Sequence, residues 1–322
     1  MTTATGMRWA RLGLARSGVG PLLALAVAGV AFSVTTATFF TADNLSLLLD
    51  QSVVVGLLAV GQTLIILTGG IDLANGAIAV VGTIIMARHA PGQGAAVSLL
   101  AALTVCTALG TASGSLVARL RLPPFIVTLG MLAVVAASGR LYSQSRSYPV
   151  DAALLVVSGR QLPLGPFALS YGVLGLLLVY AALWYVLRQT AWGRHVYAIG
   201  GNQEAARLMG IPVNRTLLSV YAGAGLLYGL AAWAALGRIP NADANAYQTA
   251  NLDSITAVVI GGTSLFGGRG GVMGSLLGTL LVSVLRSGLT QAGIDALYQD
   301  VGTGILVVAA VAVDQMARRG QK

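Results

Sequence analysis

Few residues in this 322-residue chain have side chains that could carry a reaction, and their spacing argues against one. The two histidines, His89 and His195, lie far apart, and the single cysteine, Cys106, sits inside an apolar run, where packing is its expected role. Neither a metal cluster nor a catalytic pair is expected, and no H-E-x-x-H, C-x-x-C or G-x-S-x-G motif occurs. The glycine run Gly267-Gly268-Arg269-Gly270-Gly271 invites a phosphate-loop reading. It lacks the G-x-x-x-x-G-K-[ST] arrangement, so nucleotide hydrolysis by this chain is not expected and a tight turn between spans is the better reading. Asp72 follows a helix break and Asp253 opens a short apolar segment. An ionisable residue in a membrane is a functional candidate by default, yet each of these acids also stands where it could cap a helix, and the pattern favours capping. An ion-coupled carrier would be expected to place acids in mid-span. The apolar runs here carry almost none, which favours energy coupling through an outside partner.

The most polar continuous stretch is Trp192–Pro212, WGRHVYAIGGNQEAARLMGIP. Within it, Asn202 can cap the first amides of a short helix, and Glu204 lies in the first turn, where the dipole favours negative charge. Arg207 lies near the end, and Gly210 supplies a left-handed stop. Ala205, Leu208 and Met209 fall at i, i+3 and i+4 and form one small apolar face. Two turns of helix are not stable alone in water, so this element must dock on something. Another protein surface fits that face; a helix lying on the membrane, or a solvated loop, fits the pattern equally well.

The elements around these residues are those of a membrane protein. Hydrophobic residues make up 56% of the chain and charged residues 9%, against about 25% charged in a soluble domain. The apolar segments far exceed a barrel strand in length. Gly20–Phe40 reads as a retained first helix rather than a signal peptide. Spans follow near Val53–Thr68, Ala77–Ala87, Ala95–Ala118, Phe125–Leu141, Ala168–Leu187, Leu217–Leu236, Ser254–Phe266, Val272–Val284 and Leu297–Val313. Gly110 with Gly114, and Gly270, Gly274 and Gly278, recur at four-residue spacing as close-packing faces. The expectation is an all-α integral membrane protein, a polytopic bundle of about ten transmembrane helices, some short or broken. Residues 1–19 form one tail, 20–314 a single transmembrane domain with a cytoplasmic segment at 189–214, and 315–322 a second tail. With ten crossings, most basic residues, among them Arg8, Arg11, Arg16, Arg119, Arg121, Arg188, Arg194, Arg207, Arg318, Arg319 and Lys322, fall on one side. That asymmetry places both termini and Trp192–Pro212 in the cytoplasm. It also accounts for the +9 charge without nucleic acid, since no basic run is interleaved with aromatics.

Four blocks, in order, carry a family resemblance: Gly61–Gly76 (GQTLIILTGGIDLANG), Leu122–Gly130 (LPPFIVTLG), Trp192–Ile211 and Leu252–Gly270 (LDSITAVVIGGTSLFGGRG). Together they resemble the permease subunits of ribose-type ABC sugar importers, over about Phe39–Asp314. The resemblance implies a permease in the bacterial inner membrane, paired with a second copy or a sister permease. It also implies a cytoplasmic ATPase that holds the ATP and Mg, so that this chain needs no cofactor and is not an enzyme, and an extracytoplasmic sugar-binding protein. Trp192–Pro212 becomes the coupling segment, with Asn202, Glu204, Ala205, Arg207, Leu208, Met209 and Gly210 meeting a groove of the ATPase. Candidates for the substrate path are Gln62, Thr63, Thr68, Asp72, Asn75, Phe125, Thr128 and Asn251; interhelical hydrogen bonding or packing is an alternative for each. Two positions depart from the family pattern: Asn251 replaces an acid, and Ala74 replaces a serine. If they face the path, solute preference differs from ribose. A branched-chain amino acid or nucleoside permease is the nearest alternative, and an ion-coupled carrier the next.

Overall fold

The computed structural model describes residues 19–36 and 38–319. The tail at 1–18, with Arg8, Arg11 and Arg16, and residues 320–322 lie outside the described residues. The fold is helical: α1 Val19–Thr35, α2 Ala42–Leu67, α3 Asn75–Gln93, α4 Ala95–Arg119, α5 Pro124–Ser143, α6 Tyr171–Gln189, α7 Ala191–Gly201, α8 Gln203–Leu208, α9 Val213–Arg238, α10 Ala250–Ile260, α11 Val272–Gln291 and α12 Ala296–Arg319. Two small antiparallel ribbons complete it. β1 (Tyr148–Pro149) pairs with β4 (Asn241–Ala242), and β2 (Gln161–Leu164) pairs with β3 (Phe167–Ser170).

Local chemistry sets the helix ends. Thr41 caps α2, its side chain accepting from the Asn44 N–H, with Asp43 in the first turn. The helix therefore begins about eleven residues before the expected second span at Val53, taking in Leu45–Leu49. Paired prolines open α5, where a missing N–H is harmless. Ser170 caps α6. α2 is buried along most of its length and packs with α9 at the centre of the bundle. Gly110 and Gly114 of α4 press against Tyr221 of α9, so the backbones approach as the four-residue spacing predicts. Gly274 and Gly278 of α11 do the same against the carbonyls of Gly261 and Ala257, at the end of α10.

Six helices, α2, α4, α5, α6, α9 and α11, are long and apolar enough to cross a membrane. That measure does not confirm the expected count of about ten: the apolar parts of α1, α10 and α12 are shorter, and α3 is not among the six. α10 has only 11 residues and begins at Ala250, before the expected Ser254. The chain is nevertheless broken where expected, at 68–74 between α2 and α3 and at 261–271 between α10 and α11.

Both acids expected as caps do something else. α3 is preceded by Ala74, which makes no side-chain cap; Asp72 instead accepts the Ala74 N–H at 2.8 Å within the break. α10 likewise has no side-chain cap. Asp253 lies inside its first turn, 5% exposed, and takes a hydrogen bond from Arg286 Nη2 of α11 at 2.7 Å. Asp300 of α12 accepts from the same nitrogen at 3.1 Å. The helices thus enclose a charged cluster that the nearly charge-free spans did not lead one to expect, because its members come from three segments distant in sequence.

Candidate functional site

At the end of the bundle where α2 terminates, α7 and α8 form a platform. Thr190 caps α7 by accepting the Gly193 N–H at 3.2 Å. Asn202 caps α8 by accepting the Ala205 N–H at 2.9 Å, as its spacing predicts. Glu204 is in the first turn and Arg207 in the last. Gly210 follows at φ +81°, a conformation that side chains rarely adopt. One residue anchors the short helix: Ala206 is buried with Ala118, Ile199, Val213 and Leu217. Ala205, Leu208 and Met209 point away from the bundle, Leu208 being 83% and Met209 76% exposed. Asn202→Ala should loosen α8 by about 1 kcal/mol, read as roughly five-fold faster amide exchange at Ala205, whereas Asn202→Asp should leave the rate near wild type.

The platform is bolted to both helix breaks. Gly200 of α7 packs against the Leu67 carbonyl so closely that a Cβ would collide with it. The same carbonyl accepts the Gly268 N–H at 3.0 Å. Tyr197 donates to the Gly270 carbonyl at 3.0 Å, and Trp192 Nε1 donates to Ser219 Oγ of α9 at 2.7 Å. Burial pushes the Tyr197 phenol above its usual range, with Arg188 opposing, so it stays a neutral donor.

Two cavities lie deeper. One, of about 460 Å³, opens between α3, α5 and the 244–251 segment and carries Arg140, Gln248 and Asn251 among apolar neighbours. The other, of about 540 Å³, lies at the platform end and is lined by Thr68, Gly69, Gly70, Pro124, Tyr221 and the α8 residues Gln203, Glu204 and Arg207. Seven of the eight candidate path residues divide between them and the layer that separates them. Asn251 faces the first cavity and Thr68 the second. Phe125 lies half exposed on the flank of α5 and lines neither. Gln62, Thr63, Asp72, Asn75 and Thr128 are fully buried between helices.

That buried layer is hydrogen-bonded across long sequence separations. With the Gln62 amide oriented to satisfy both partners, it donates to the Asp72 carbonyl at 3.0 Å and accepts the Asp72 N–H at 3.1 Å. Asn75 Nδ2 donates to Ser254 Oγ at 2.7 Å, and Thr63 meets Ser275 Oγ at 2.7 Å. Thr128 Oγ1 donates to the Ile71 carbonyl at 2.9 Å. Sequence reasoning missed Arg121 and Tyr221, which line the second cavity, Arg140 and Gln248, which line the first, and Tyr228, buried beside Asp72. The two tyrosines, seven residues apart on α9, were readable as one helix face; the others carried no pattern. Among the described residues no group of three or more His, Cys, Asp or Glu is placed to hold a metal.

Residues 44–311 match the family described as branched-chain amino acid transport system / permease component. The chain belongs to that family. Among similar permeases, the fructose import permease protein FrcC of Rhizobium meliloti is 45% identical over 307 residues, covering 93% of this chain and 85% of the relative. The ribose import permease protein RbsC of Escherichia coli K12 is 37% identical over 298 residues, with 91% and 92% covered. The galactose/methyl galactoside import permease protein MglC of the same strain is 33% identical over 296 residues, with 87% and 88% covered. No solved structure matches. The chain is a multi-pass membrane permease component, a transport subunit rather than an enzyme.

Proposed function

We propose that this chain is the membrane subunit of an ATP-driven importer for a monosaccharide in the bacterial inner membrane, with residues 20–314 acting as one permease unit. α7 and α8 face the cytoplasm, as do both termini. α8 docks into a cytoplasmic ATPase through Ala205, Leu208 and Met209, with Glu204 and Arg207 at the rim. The observation that carries this reading is the exposed Leu208–Met209 pair on a capped, anchored helix, in a chain similar to permeases named for fructose, ribose and galactose import. An apolar helix face of this kind fits a helix-in-groove contact. An extracytoplasmic binding protein would deliver solute to the opposite end, and a second permease subunit would complete the membrane unit.

The cavity bearing Asn251 is the favoured solute site. Its volume lies within the order of 300–1,000 Å³ typical of small-molecule pockets, and its few polar groups stand among apolar ones. Of the two departures from the family pattern, only Asn251 faces that space; Ala74 is fully buried. In proteoliposomes containing the partner ATPase and binding protein, uptake of fructose, ribose and galactose tests the reading. Asn251→Glu should shift the relative rates among these sugars, whereas Ala74→Ser should not. Uptake that follows an ion gradient and ignores ATP would overturn the proposal.

A further inference from the structure

The two cavities approach each other from opposite ends of the bundle and stop at the 68–74 break. Leu73 faces one, and Gly69 and Gly70 face the other. α5 contributes on both sides, with Leu129 in the first cavity and Pro124 in the second. Midway, the Thr128–Ile71 hydrogen bond ties the linker to α5. The break is thus a septum one linker thick, held to α5 by the Thr128 hydroxyl, to α2 by the Gln62 amide and the Gly70 N–H on the Ile65 carbonyl, and to α10 by Asn251 Nδ2 on the Leu73 carbonyl at 3.4 Å.

Its other flank is not fully bonded. Asp72 Oδ2, Tyr228 Oη and Tyr221 Oη are buried and make no hydrogen bond of good geometry, although the Tyr228 hydroxyl stands beside the Asp72 carboxyl. A buried polar group without a well-aligned partner is costly. The Asp72 carboxyl beside the Tyr228 hydroxyl gives the linker a polar partner on α9 that a shift in that direction would engage more closely. The platform is positioned to drive the shift, because Gly200 of α7 is wedged against the Leu67 carbonyl at the end of α2, immediately before the break.

We propose that the 68–74 linker is the gate of the transport path. Movement away from α5, breaking the Thr128–Ile71 hydrogen bond, joins the two cavities into one passage, and α7 transmits the movement from the docked ATPase. This rests on the transport reading above. A cross-link tests it. A Cβ built on Gly70 lies 3.4 Å from Pro124 Cβ, close to the spacing of about 3.5–4.5 Å that a disulfide needs. Gly70→Cys with Pro124→Cys, in a Cys106→Ala background, is reconstituted with the ATPase and binding protein. Its uptake under reducing conditions is the reference rate. On oxidation uptake should fall at least ten-fold, and reductant should restore it. Undiminished transport by the cross-linked protein overturns the gate while leaving the transport reading standing; absence of uptake by wild-type protein for every sugar would instead overturn the transport reading.

A second measurement needs no transport and covers a double variant that fails to fold. Leu129→Cys, again with Cys106→Ala, is probed in vesicles with a membrane-impermeant thiol reagent applied from the α7–α8 side. Adding Thr128→Val should raise its labelling rate several-fold. Equal rates with and without Thr128→Val would mean that the Thr128–Ile71 hydrogen bond does not hold the septum closed, and would overturn the proposal.

Discussion

Replacing Leu208 and Met209 together by aspartate is expected to abolish ATP-driven uptake while leaving the bundle folded. Both side chains project from the protein, so the change removes no core contact. α8 keeps its Asn202 cap and its Ala206 anchor, and both residues act on its other side. Burying a leucine or methionine in a partner's groove contributes about 1.5–3 kcal/mol. Losing both removes at least about 3 kcal/mol, or roughly two orders of magnitude in affinity for the ATPase. The substitution also sets two negative charges at a helix C-terminus, where the dipole opposes them. Three readouts separate the outcomes: the thermal midpoint of the purified chain should hold, co-purification of the ATPase should fail, and uptake should fall to background. Wild-type uptake by the double variant would end the docking reading.

Asn202 and the Leu208–Met209 face were legible because a cap and a two-turn apolar face are written within eight residues of sequence. The glycine pairs on α4 and α11 were legible as close-packing stripes for the same reason, although their partners were not. Asp72 and Asp253 were misread because a local rule competed with a tertiary one. An acid near a helix start resembles a cap, but Asp253 finds Arg286, 33 residues away, and Asp72 turns back onto its own linker. Thr63 and Ser275 are 212 residues apart, and Asn75 and Ser254 are 179 apart. Single hydroxyls in apolar runs carry no signal of whom they meet. The candidate path residues were therefore legible only as polar groups, with Phe125, in or beside apolar spans. Their sorting into two cavities and a buried septum depended on how the 68–74 and 261–271 breaks pack, and composition does not encode that. The span count could not be fixed from the sequence for a related reason: a helix of 11 residues cannot be ranked by length without knowing what packs around its start.

The charged cluster supports the second large expectation. Arg286→Leu should strongly destabilise the bundle, by about 3 kcal/mol, the lower end of what breaking a buried pair costs. The lower end applies because Arg286 is 34% exposed and Asp300 38%, so only Asp253 is left deeply buried and unpaired. Asp253→Asn should do less. An asparagine still accepts from Arg286, and the guanidinium keeps Asp300. The informative variant is the double substitution Arg286→Leu with Asp253→Asn, which removes both the cation and the charge that it leaves stranded. It should recover most of the stability lost by Arg286→Leu alone, and the thermal midpoint in detergent should rank Arg286→Leu lowest and Asp253→Asn highest of the three. Additive losses would mean that the pair contributes nothing beyond its separate members. Recovery would mean that the cost of Arg286→Leu lies in the charge stranded at Asp253, and that packing alone holds α10 against α11 and α12 once that charge is gone.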